Sequence, residues 1–297
     1  MNLVFLIKFL FLLLPPLICI AFFTLLERKL LRLVGLRLGP NKVSFIGFLQ
    51  PIGDAIKLAN KRINSLSRFS LFFYYISSFF MLLISLLLFS SLGVVPGYSF
   101  YKYSLLFILL ILAFNSLNSI FSGWRSFRKF SLIGRIRTVS QLISYEAVLY
   151  VCIFFFITMF NSFDLNSYRF SGFFCSFVIL LPCFYLWIPT MLAELNRTPY
   201  DFSEGERELV RGFNTEFSSG CFTLIFLAEY SRIVFFSLLR SFLFFHNILF
   251  FFFFFFFFIW LRSVLPRFRF DKLMLLSWKF FIPFLRFIFV FFVRCFF

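Results

Sequence analysis

Histidine and acid are what this sequence has least of. One histidine, His246, and twelve acidic residues stand among 297, against 29 lysines and arginines. A single histidine in a Phe-rich segment does not make a haem or metal site alone, so it reads as structural. The six cysteines (Cys19, Cys152, Cys175, Cys183, Cys221 and Cys295) are scattered, mostly in apolar runs, and none forms a CxxC pair. That pattern predicts neither disulfides nor a metal or iron–sulfur site. There is no Gly-rich phosphate loop, no Ser/His/Asp set and no metal-ligand spacing. A chain without these has no complete catalytic centre and holds no redox cofactor. Apolar residues, in contrast, make up 62% of the chain and charged residues 14%, with a mean hydropathy of +0.97. Soluble domains lie nearer about half apolar and about a quarter charged. The expectation is an all-α polytopic membrane protein.

Apolar runs at the length of a bilayer crossing, about 20 residues, give eight expected spans at 3–26, 69–92, 103–123, 138–160, 171–192, 217–239, 242–261 and 280–297. The last is interrupted by Arg286 and Arg294. No repeat or linker divides the chain, so one membrane domain covers 1–297. The first apolar segment starts directly after Met1 and Asn2, with no Arg/Ser-rich presequence or small-residue cleavage site. That is expected of a protein made inside an organelle or a bacterium. Phenylalanine is extreme at 59 residues, with an unbroken run Phe250–Phe258. The run reads as a lipid-facing wall that accepts any large apolar side chain; the alternative is a Phe-lined ligand site.

The excess of positive charge is not a nucleic-acid signal, because it falls in alternate loops. One group is Arg28, Lys29, Arg32, Arg37, Lys42, Lys57, Lys61, Arg62 and Arg68. A second is Arg125, Arg128, Lys129, Arg135 and Arg137. A third is Arg262, Arg267, Arg269, Lys272 and Lys279. The intervening loops hold Lys102, Arg169 and Arg240. This is the positive-inside pattern. It places loops 27–68, 124–137, 193–216 and 262–279 inside and both termini outside. Within the first inside loop, Gly39-Pro40-Asn41 is a turn signal. Beyond it Phe45, Ile46, Phe48, Leu49, Ile52, Ile56 and Ala59 recur at roughly helical spacing. An amphipathic surface helix is expected there, either as a plain basic anchor or as a wall of a ligand cavity.

The acids are concentrated. Glu194, Asp201, Glu204, Glu206, Glu208, Glu216 and Glu229 all lie within 193–230. An ionisable residue in a membrane segment is costly and marks a functional site by default. Glu27, Glu146 and Glu229 sit in or at the ends of spans, where burial favours the protonated form. For each the competing reading is a structural ion pair: Glu27 adjoins Arg28 and Lys29, although adjacent residues do not face each other on a helix, and Glu229 lies three residues before Arg232, a spacing that places both on one face. Glu204, Glu206 and Glu208 alternate in a loop broken by Pro199, with Arg207 and Arg211 interleaved. They read as a solvated loop or as coupled carboxylates. Because the loop returns to a span that opens with Glu216 and contains Glu229, carboxylates run from the inside surface into the bilayer.

These motifs carry a resemblance. The segments LERKLLRLVGLRLGPNKVSFIGFLQPIGDAIKLANK, GWRSFRKFSLIGRIRTVSQLISYEAVLY, LAELNRTPYDFSEGERELVRGFNTEFSSGCFTLIFLAEY and WLRSVLPRFRFDKLMLLSWKFFIPF cover roughly half of the chain. With the ERK, LGPN, SYE, AELNRTPYDF, GFN, AEY and PRFRFD signatures in this order, the chain resembles the subunit 1 family of respiratory complex I, which includes the bacterial H subunits. The resemblance implies eight transmembrane helices plus a surface helix in the first matrix loop. It also implies a cavity for ubiquinone, an acidic path toward the proton-pumping subunits, and a place in the mitochondrial inner membrane. Ubiquinone is then the substrate, and FMN and iron–sulfur clusters belong to partner subunits. Those partners are the peripheral subunits with the terminal cluster and the small membrane subunits next to the acidic path; no nucleic acid is among them. Matched motif by motif, Glu27, Arg28, Arg37, Asp54, Arg197, Asp201, Glu204, Glu206 and Phe226 fall along the quinone cavity. Tyr145, Glu146, Glu194, Glu208, Glu216 and Glu229 fall on the proton path. The sequence departs from the family pattern at Gly53, Arg207, Arg211, Cys221 and Arg232. The expected function is therefore quinone access and coupling in a proton-translocating NADH:ubiquinone oxidoreductase. Two alternatives are the membrane anchor of a related hydrogenase-type complex and a free-standing cation transporter.

Overall fold

The computed structural model describes residues 2–42, 44–61, 68–92, 101–124, 129–165, 167–170, 173–202, 219–245 and 249–296, and among these there is no β-strand. The helices are α1 Asn2–Val34, α2 Gln50–Ala59, α3 Arg68–Ser91, α4 Ser104–Trp124, α5 Lys129–Phe160, α6 Phe173–Glu194, α7 Ser219–Arg240, α8 Phe250–Val264, α9 Phe270–Leu276 and α10 Ile282–Phe296. Two π-helical turns extend them, Ser241–Phe245 after α7 and Ser277–Phe281 between α9 and α10. A helix lies in each of the eight expected segments. Among the described residues, four stretches are long and apolar enough to cross a membrane: Ser104–Ser122, Ser131–Phe160, Gly220–Phe245 and Phe270–Arg294. Tyr75–Ser91, Leu180–Glu194 and Phe250–Val264 are shorter apolar helices. The chain is an integral membrane protein built of helices.

Several helices outrun the spans expected from hydropathy. α1 continues to Val34 over 33 residues, roughly 50 Å of helix against about 30 Å of hydrocarbon. An apolar window finds the hydrocarbon crossing and not the helix, which goes on hydrogen-bonding into the headgroup region. α5 likewise starts at Lys129, so Arg135, expected in a basic loop, sits in the helix and is buried. Arg240, expected in an outer loop, is fully buried because the helix carries on through the π-turn to Phe245. The last two elements run from Phe270 to Phe296 and not from 280.

α7 is the centre of the bundle, packing on α1, α2, α3 and α8, while α4 joins α3 to α5 and α5 bears α6 and α10. Small hydroxyl residues make these close contacts feasible. Ser77, Ser78, Ser85, Ser90 and Ser91 on α3 and Ser116, Ser119 and Ser122 on α4 are buried. Most return their hydroxyl to the carbonyl one turn back, as Ser85 does to Leu82 (2.7 Å) and Ser119 to Ser116 (2.6 Å). No polar hydrogen is then left facing hydrocarbon. Asn118 on α4 donates to the Ser77 carbonyl on α3 at 3.2 Å, tying the two helices.

The first inside loop folds back on α1. Leu36 takes a left-handed conformation at φ 54, and the amide of Arg37 reaches the Arg32 carbonyl at 2.8 Å, closing the helix end. Lys29 Nζ donates to the Ile46 carbonyl (2.6 Å) in a short 3-10 turn, Phe45–Gly47. Phe48 stacks on Phe22 of α1 with centroids 4.6 Å apart. Gly47 is obligatory: it has φ +75, and a Cβ there would lie 2.3 Å from the Pro40 carbonyl oxygen. α2 buries no residue and exposes Ile52 and Ile56.

Candidate functional site

Glu27 is the hub of the site. It lies on α1 and is buried. The Tyr230 hydroxyl of α7 donates to its Oε2 at 2.7 Å. Arg262, near the end of α8, hydrogen-bonds its Oε1. Arg197 approaches the same oxygen at 3.8 Å and Glu229 at 3.9 Å. The basic residues that adjoin Glu27 turn elsewhere: Arg28 pairs with Asp54 of α2 at 2.5 Å, and Lys29 holds the 3-10 turn. Gln50 also donates to Asp54, at 3.3 Å.

Arg197 reaches the cluster because of how α6 ends. Asn196 adopts a left-handed conformation at φ 49. The Asn196 amide bonds the Ala193 carbonyl (3.2 Å) and the Arg197 amide the Leu192 carbonyl (3.5 Å). This two-bond cap, with Asn in the position more often held by Gly, turns the chain back under the bundle. Gln141 of α5 pins the loop by donating to the carbonyls of Ala193 (2.8 Å) and Tyr200 (3.1 Å). On its far side Tyr200 stacks on Phe268 (5.5 Å), and the Phe268 amide bonds the Pro199 carbonyl (3.1 Å). The Arg197 guanidinium then lies over the Tyr230 ring at 4.4 Å and near Phe226 at 5.8 Å. Burial disfavours its charge, but Tyr230, Glu27 and Glu229 outweigh burial and raise its pKa above the ordinary arginine value.

Around this cluster is a cavity of about 240 Å³ lined by Glu27, Arg28, Leu31, Asn196, Arg197, Thr198, Asp201, Phe226, Glu229, Tyr230 and Arg262. Three of the lining residues carry buried polar atoms with no hydrogen-bond partner among the described residues: Arg197 Nε and Nη2, Thr198 Oγ1 and Asn196 Oδ1. Such atoms are costly unless something satisfies them. Asp201 lies 4.0 Å from Arg267.

Behind the cavity is a second charged group. Asn196 and Glu229 line the main cavity on one side and, on the other, a small void of about 10 Å³ shared with Asn115, Arg135 and Arg232, room for about one water. Beyond it, Glu194 is fully buried at the end of α6 with Arg232 and Asn115 near its carboxylate. Glu194 neighbours Glu146 of α5, which also has Ser116 and Tyr150 beside it.

Of the sequence-derived positions, Glu27, Arg28, Arg197, Asp201, Phe226 and Glu229 come together at the cavity. Asp54 joins it through Arg28. Glu146 and Glu194 meet deeper in. Arg37 is exposed past the end of α1 and does not line the cavity. Tyr145 is buried on another face of α5 from Glu146: its hydroxyl donates to the Leu273 carbonyl at 3.4 Å and its ring meets Tyr200 and Phe281. Glu204, Glu206, Glu208 and Glu216 lie outside the described residues. Tyr230, Arg262, Arg135, Asn115 and Asn196 were not singled out from the sequence. Tyr230 and Asn196 had a signal, as the last residue of the AEY signature and the fourth of AELNRTPYDF. Among the described residues no group of three or more His, Cys, Asp or Glu side chains is placed to hold a metal.

The described residues thus form a helical membrane protein with a cluster of ion pairs around one cavity. A family model described as NADH dehydrogenase matches residues 7–293, and the chain belongs to that family. It is 43% identical over 273 residues (89% of this chain, 87% of the relative) to the NADH-ubiquinone oxidoreductase chain 1 of Aedes aegypti. It is 42% identical over 299 residues (97% and 94%) to that of Locusta migratoria. Against that of Paracentrotus lividus the identity is 37% over 290 residues (91% and 89%).

Proposed function

We propose that this chain is a core membrane subunit of a proton-translocating NADH:ubiquinone oxidoreductase, with the Glu27–Arg197 cavity receiving the quinone headgroup. The observation that carries this reading is the cavity lined by the Arg197 and Arg262 guanidiniums, the Glu27 and Glu229 carboxylates and the Phe226 and Tyr230 rings. A quinone offers two carbonyl oxygens that accept from guanidinium and hydroxyl donors such as Arg197, Arg262 and Thr198, and a flat ring that packs on Phe226 and Tyr230. Reduction to quinol takes two electrons and two protons. The electrons come from an iron–sulfur cluster of a peripheral partner, and the FMN that feeds it also lies in a partner. This chain's part is to hold the headgroup, to offset the negative charge that builds on it with Arg197 and Arg262, and to pass the electrostatic change on. The path inward runs from Glu229 to Glu194 and Glu146. Eight spans, a surface helix at α2 and basic loops on the matrix side of the mitochondrial inner membrane complete the reading. The names of the relatives favour it over a hydrogenase-type anchor or a cation transporter. The test is photolabelling of the intact complex with a short-tailed azido-ubiquinone. Label is expected in the segments carrying Arg197 or Phe226, suppressed by excess ubiquinone. Label confined to other chains, or insensitive to ubiquinone, overturns it.

A further inference from the structure

Arg232 is the residue that joins the two charged groups, and neither the fold nor a quinone cavity alone requires it. It sits on α7, one turn beyond Glu229, and is 5% exposed. Its Nε donates at 3.4 Å to the Ala228 carbonyl of its own helix, which turns the guanidinium into the bundle. The charged groups facing it come from four places: Glu229 on α7, Glu194 at the end of α6, Arg197 in the loop that follows, and Arg135 on α5. The other elements at this point contribute neutral groups, Asn115 and Ser119 from α4 and Met81 from α3. From the cavity inward the charges therefore alternate: Arg262, Glu27, Arg197, Glu229, Arg232, Glu194.

Resting on the function proposed above, we propose that Arg232 is a positioning residue of the coupling path, the shared counter-charge that lies between Glu229 and Glu194 and links the quinone cavity to the buried acid pair. A cation between two carboxylates in a low-dielectric site favours the charged form of both. A change of charge at Arg197, when quinone is reduced beside it, alters how Glu229 divides its attraction between Arg197 and Arg232. That in turn changes the hold of Arg232 on Glu194. The path then continues beyond Arg232 to the neighbouring pair Glu194 and Glu146.

Removal of the cation leaves the buried acid pair without its counter-charge, so the acid side of the pH profile should move to higher pH. The experiment compares parent, Arg232→Gln, Arg232→Lys and Glu229→Gln chains in assembled complex in membranes. It reads proton pumping coupled to NADH:quinone turnover across the acid range, with NADH:ferricyanide turnover as the measure of assembly. Arg232→Gln should move the acid limb of pumping up by about one pH unit, a tenfold change in proton concentration, and Arg232→Lys should bring it most of the way back. An unmoved limb in an assembled Arg232→Gln complex overturns the inference. If Arg232→Gln does not assemble, rescue of assembly by adding Glu229→Gln reports the same pairing, and failure of that rescue contradicts it. Should Glu229→Gln leave quinone reduction and pumping both untouched, it is the proposed path that fails, and the Arg232 inference with it.

Discussion

Arg240 carries its charge into the most aromatic part of the protein. It is fully buried, and its three guanidinium nitrogens find no hydrogen-bond acceptor among the described residues. Instead the group lies between the rings of Phe184 and Phe254, 4.3 Å from each centroid. A desolvated cation over an aromatic face is worth roughly 2 kcal/mol per good contact, which offsets part of the cost of burial. This changes how the polyphenylalanine run is read. Phe252, Phe253 and Phe256 are exposed on the outer wall as expected, but Phe254, Phe255 and Phe258 are buried. A run of nine identical residues has no periodicity, so its sequence could not show which face turns inward. Phe254→Leu should cost about 2 kcal/mol, from lost packing and a lost face for Arg240; Phe253→Leu should stay within about 0.5 kcal/mol. Heat inactivation of NADH:quinone turnover in membranes measures the difference. Equal heat stability of the two variants contradicts the assignment.

At the scale of elements, the site depends on where α6 stops. The Asn196 cap and the two hydrogen bonds from Gln141 set the direction of the loop that brings Arg197 to Glu27. Gln141 does this from α5, a helix whose first turns were counted as a basic loop because only the hydrocarbon-crossing part shows in hydropathy. Gln141→Leu keeps the bulk but leaves two carbonyls buried without their donor, at about 1–3 kcal/mol. The loop should loosen without loss of the fold. We expect a rise of the quinone KM of several-fold with NADH:ferricyanide turnover unchanged. An unaltered KM would mean that the loop is held by Tyr200 and Phe268 alone.

For the whole molecule, the sequence made the helical membrane class, the order of apolar segments and the acids of the site readable, because each is written in local composition. The pairings were not, because they are made across the bundle: Tyr230 is 203 residues from Glu27 and Arg262 is 235. Spacing within one helix pointed to Arg232 as a partner of Glu229, while Arg28 and Lys29 adjoin Glu27 without facing it. The fold uses Arg262 and Arg197 for Glu27 and gives Glu229 two guanidiniums, one from the α6 loop. Arg262 is the clearest miss. In the sequence it is one more basic residue at the inside end of a span, and only the packing of α8 on α1 turns it toward an acid.

The central claim, that the Glu27–Arg197 cavity receives quinone, is tested most directly at Arg197. Arg197→Gln retains hydrogen-bonding groups and removes the charge. The measurement is the ratio of NADH:quinone to NADH:ferricyanide turnover in the same membranes, since ferricyanide takes electrons upstream of the quinone site. The account predicts that this ratio falls by at least about tenfold, equivalent to about 1.4 kcal/mol, with ferricyanide turnover preserved. A ratio equal to that of the parent in assembled complex contradicts it.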